Sequence, residues 1–72
     1  MMSLHEDPEF FSALEMRYKA EIAEAEANIA VYLQNPAGIG EHPDLVAAID
    51  ILIERIAHAE DKLSVLRDRY LS

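Results

Sequence analysis

Cysteine and tryptophan are absent from this 72-residue chain, glycine occurs twice and proline three times, and only six lysines and arginines stand against 14 aspartates and glutamates. Without cysteine there is no disulfide, no thiolate metal site and no cysteine nucleophile, which fits a reducing compartment. The shortage of base leaves a formal net charge of -8, a surface that repels phosphate backbones and anionic membranes. No basic stripe with interleaved aromatics overcomes that repulsion, so no nucleic acid is expected as a partner. No apolar run approaches the roughly 18 residues of a membrane span, and the first residues lack the basic segment and apolar run of a signal peptide. The expectation is a soluble, cytoplasmic protein with no membrane partner.

Size sets a further bound. A single core in a chain this short supplies no more than about 3–5 kcal/mol unless a disulfide, a metal or oligomerisation adds to it. With disulfides excluded, oligomerisation is the obvious supplement.

What is present is helical. Asp7-Pro8-Glu9 has an N-cap acceptor, a proline suited to the first helical position and an acid for the positive dipole end. From there to Gln34 good helix formers dominate, and Pro36 forces Asn35 out of helical geometry. His42-Pro43-Asp44 repeats the proline-then-acid order and starts a second helix, which is expected to run to about Tyr70 or Leu71. Residues 1–6 are expected to be a disordered N-terminus, with a helix over 7–34, a turn over 35–42 and a helix over 43–71. Both glycines fall in the turn. There Pro36 stops one helix, Gly38 and Gly40 allow backbone angles closed to other residues, Ile39 folds back over the end of the pair, and His42 and Pro43 lead into the next helix.

Each helix carries a stripe. On the second, Leu45, Ile49, Leu52, Ile56, Ala59, Leu63, Leu66 and Tyr70 keep a 4,3,4,3 alternation, the spacing of a coiled-coil seam. Val46, Ile53 and Leu71 widen that seam to an arc of roughly 160°, more than one neighbouring helix covers. On the first, Phe11, Leu14, Tyr18, Ile22, Ala25, Ile29 and Tyr32 make one face, and Ala13, Met16, Ala20, Ala23, Ala27 and Ala30 run nearly opposite. That alanine row reads either as a close-approach docking surface or as helix-favouring filler on a solvent side. The fold class expected is therefore all-α: an antiparallel two-helix hairpin that dimerises into a four-helix bundle, because a two-fold lets identical apolar patches cover each other.

Little chemistry is legible. Glu41, His42 and Asp44 form a possible metal set, but a helix start with an acid on its dipole accounts for them equally well. Asp50, Glu54 and His58 stand four apart on an outward face, too few and too open to hold an ion without a second chain. No serine lies beside a plausible base on a rigid turn, no phosphate-binding Lys or Ser/Thr follows the glycines, and a hairpin offers no closed pocket in which to tune a pKa. No catalytic residue, cofactor or metal is expected. The pairs Glu15/Lys19 and Arg17/Glu21 read as weak surface ion pairs.

The stretch from Tyr32 through Asn35-Pro36-Ala37-Gly38-Ile39-Gly40-Glu41-His42-Pro43-Asp44, with Ala48-Ile49-Asp50 and Ala59-Glu60-Asp61-Lys62-Leu63, resembles a group of short helical-hairpin proteins of T4-like marine cyanobacterial phages. Their mark is an N-P-x-G-I-G-E-H-x-D turn, and the resemblance spans roughly residues 28 to 66. It implies a viral hairpin acting in the host cytoplasm or a virion, and it transfers no activity. The expected function is a small acidic structural or interaction module that self-associates, most simply as a homodimer, and that offers a surface to a phage or host protein. The alternatives are an adaptor or inhibitor docking a partner through its helix seam, and a metal-binding module at a dimer interface.

Overall fold

A computed structural model describes residues 8–34 and 44–71. The expectations about the N-terminal segment, the Asp7 cap and the turn residues Pro36, Gly38, Ile39, Gly40, His42 and Pro43 lie outside the described residues. Helix α1 runs Pro8–Gln34 and helix α2 runs Leu45–Leu66, continued by a wider π-helical turn over Arg67–Leu71. The two helices pack on each other as an all-α hairpin.

The first-turn acid of α1 is Glu9, placed where the exposed N–H groups favour negative charge. At the start of α2, the Ala48 N–H donates to the Asp44 carbonyl at 3.0 Å. Asp44 occupies the cap position, but its side chain makes no capping bond. The contribution of about 1 kcal/mol that a bonded Asp cap gives is therefore missing here.

Three contacts fix an antiparallel register. Phe11 stacks on Tyr70 at 5.4 Å between ring centroids, the Arg67 Nε–H donates to Glu15 Oε2 at 3.2 Å, and the Lys62 ammonium sits 5.4 Å from the Tyr18 ring centre. Residue numbers in the three pairs rise on one helix as they fall on the other. That register sets Ile22 across from Ala59 and Ala25 across from Ile56.

The buried residues are Phe11 and Ala25 on α1, and Leu52, Ala59, Leu63 and Leu66 on α2. Leu14, Tyr18, Ile22, Ile29 and Tyr32 on α1, with Leu45, Ile49 and Ile56 on α2, are half-buried along the same seam. The two alanines are the most completely enclosed, at 2% and 1% exposure. Each faces an isoleucine, so small meets large and the backbones can approach closely there. Spacing along the α1 seam is 3,4,4,3,4,3. The extra step between Tyr18 and Ile22 breaks the strict heptad, an interruption of the kind that locally unwinds a coiled coil.

Winding changes at the C-terminal end. The Arg67 N–H is shared between the Leu63 and Ser64 carbonyls, after which the wider turn carries Tyr70 onto Phe11, with ring planes 13° apart. Tyr70, expected as the last buried seam position, is 41% exposed, because its ring lies over the end of the seam.

Candidate interaction surface

The core of this hairpin is thin. Among the described residues no large side chain is fully enclosed, while Phe10, Met16, Val31 and Leu33 on α1 and Val46, Ile51, Ile53, Val65, Tyr70 and Leu71 towards the C-terminus are all exposed. Isolated exposed apolar residues are ordinary, but several on one side of a short rod form the kind of patch that marks an interaction site.

Residues of the expected interface separate into two sets. Leu52, Leu63 and Leu66 are buried against α1, and Leu45, Ile49 and Ile56 are half-buried there, so this seam is filled within one chain. Val46 and Ile53 point away from it, at 80% and 51% exposure. Those two remain uncovered by α1. The alanine row of α1, with Met16 at 68%, is exposed along its length.

The hairpin has two broad sides. One bears a cleft of about 310 Å³ near the ends of the chain, with Phe11, Leu14, Tyr18 and Leu66 beneath Val65, Tyr70 and Lys62. The other bears a more polar cleft of about 360 Å³ lined by Ile22, Glu60, Leu63, Ser64, Arg67 and Asp68. Both are open grooves between two rods, which cannot exclude water from a reaction.

The second side has a definite pattern. Glu15 bonds Arg67 across the helices at 3.2 Å and lies 3.9 Å from Lys19 one turn along. Ser64 donates to Asp68 at 3.4 Å. Val46, Ile53, Glu60 and Arg67 recur every seven residues on α2, and Lys19, Glu26 and Leu33 do so on α1, so these rows edge the same side. Its half near Gln34 and Leu45 carries the exposed apolar residues Leu33, Val46 and Ile53 with Glu26 among them, and its other half is a lattice of alternating charge. Of the surface ion pairs read from spacing, Glu15/Lys19 forms. The Glu15–Arg67 bond and the exposed Leu33 were not anticipated; each depends on which helix lies alongside, which spacing within one helix does not specify.

Asp50, Glu54 and His58 are exposed, and among the described residues no group of three or more His, Asp or Glu side chains converges as a metal site requires. Among the same residues, no helix is long and apolar enough to cross a membrane. No family model, curated protein or solved structure matches the chain.

Proposed function

We propose that this protein is a small acidic interaction module that works as a self-associated helical bundle and carries out no catalysis. The observation that supports this reading is the exposure of Val46 and Ile53, 80% and 51%, beside a seam in which no large side chain is fully enclosed. Self-association would enclose that remainder and enlarge a core that is small for an independently folded chain. On the resemblance of its turn, the module acts in an infected bacterial cell or a virion, with a phage or host protein as its further partner.

Ile53→Glu tests this. Fully burying an isoleucine is worth about 1.5–3 kcal/mol, and half of Ile53 is already covered. A two-fold interface would therefore lose about 1.5–3 kcal/mol from two copies, which weakens association roughly 10- to 150-fold. A sedimentation profile identical to that of the parent protein contradicts the assignment.

A second reading, an adaptor that takes a partner's helix against the seam, is favoured by the open apolar cleft under Tyr70 and Val65. A chain that stays monomeric while binding its partner through Leu14, Tyr18 and Val65 supports this reading over the bundle.

A further inference from the structure

The side that carries Val46 and Ile53 also carries information about how a second copy would sit on it. We infer that two hairpins pack through this side with the two-fold axis along the helices, so that α1 of one copy lies against α2 of the other and both turns point the same way. The inference rests on the self-association proposed above and adds its geometry.

Two orientations bring identical sides together. With the axis along the rods, each residue of α1 meets the residue of the partner's α2 at the same height. At the turn end, Leu33 then meets Val46, and Ala30 meets Ile53. At the other end, Glu15 meets Arg67 and Lys19 meets Glu60. At the two ends apolar faces apolar and charge faces its opposite; between them Glu26 comes beside Ile53, one unmatched contact in the row. The Glu15–Arg67 bond already present inside one hairpin shows that the two rows match in height, so the complementarity within a chain recurs between chains.

With the axis across the rods, one hairpin is reversed. Leu33, Val46 and Ile53 then lie on the partner's Glu15, Lys19, Glu60 and Arg67. Apolar surface that is exposed in the monomer would be pressed against charges, and those charges would lose water without gaining partners.

One term opposes the chosen orientation. Toward the turn, residues 21–34 and 44–59 hold Glu21, Glu24, Glu26, Asp44, Asp50 and Glu54 against Arg55 alone, whereas residues 8–20 and 60–71 hold five acids and five bases. Parallel hairpins bring the two acid-rich halves together. These side chains are exposed, and at physiological ionic strength the screening length is about 8 Å, so the repulsion is damped while the apolar contact is not. Added salt should therefore tighten the dimer.

The absence of cysteine makes cross-linking decisive. Two differently tagged single-cysteine proteins, Leu33→Cys and Val46→Cys, are mixed and oxidised, and so are Val46→Cys and Ser64→Cys; all three sites are exposed in the monomer. The expected result is a mixed disulfide dimer from the first mixture and little from the second, with circular dichroism confirming helix in each variant. Preferential linking in the second mixture overturns the orientation, as does failure of both mixtures in samples that sediment as dimers; either result leaves self-association standing. Samples that sediment as monomers at every concentration overturn self-association as well.

Discussion

Ala59 is 1% exposed and, by the antiparallel register, lies across from Ile22, where a small side chain lets the two backbones approach closely. Replacing it with leucine inserts three carbons where no space is left. Burying each added methylene would gain about 0.8 kcal/mol if a void were waiting. In a filled seam the helices must instead part or adopt strained rotamers, which costs typically about 1–3 kcal/mol. Parting them would also loosen Leu63 and Leu66, the neighbouring buried leucines. Against a total stability of about 3–5 kcal/mol for a chain of this size, Ala59→Leu should lower the melting temperature by roughly 5–20 °C. The assay is thermal circular dichroism at one fixed chain concentration, because the proposed self-association would make melting concentration-dependent. A second variant gives the test its specificity. Ile22→Ala removes three carbons from the facing position, so the double variant should be more stable than the two separate losses added together. If Ala59→Leu melts at or above the parent temperature, the helices have room at this level and the close approach assigned to Ala59 is wrong.

Tyr70→Leu removes the stack on Phe11, which at 5.4 Å and 13° is worth about 0.5–1.5 kcal/mol beyond area burial; hydrogen exchange should accelerate over residues 67–71 while the centre of α2 stays protected. Glu15→Gln removes the negative charge from the bond to Arg67, but Glu15 and Arg67 are 30% and 50% exposed, so the loss in a denaturant titration should stay within about 1 kcal/mol. That loss should also shrink as salt is added, whereas a larger, salt-independent loss would mean that the pair is sequestered from solvent. Chelator should leave the melting temperature unchanged, and a fall in its presence would reveal an ion whose occupancy stabilises the fold.

The seams of both helices were legible because burial against one neighbour leaves a periodic trace. Every residue assigned to the α1 face is buried or half-buried, and so is every residue of the α2 seam except Tyr70. Tyr70 shows where periodicity stops informing: nothing in Arg67-Asp68-Arg69-Tyr70-Leu71 encodes a π-helical turn, or the stack of Tyr70 on an aromatic ring distant in sequence. Similarly, Arg67 pairs with a glutamate 52 residues away. The excess width of the α2 arc was visible in Val46 and Ile53, and the hairpin leaves both uncovered. The gathering of exposed apolar residues at one end of that side and of paired charges at the other emerges only when the antiparallel register brings Leu33 level with Val46 and Glu15 level with Arg67.

Sedimentation equilibrium across a wide range of chain concentrations tests most directly whether two copies complete this fold. An 8.1 kDa chain should shift toward twice that mass as concentration rises, with helix content and melting temperature rising in step. A mass of 8.1 kDa throughout, with undiminished helix at the lowest concentration, would show that the thin seam between α1 and α2 suffices alone.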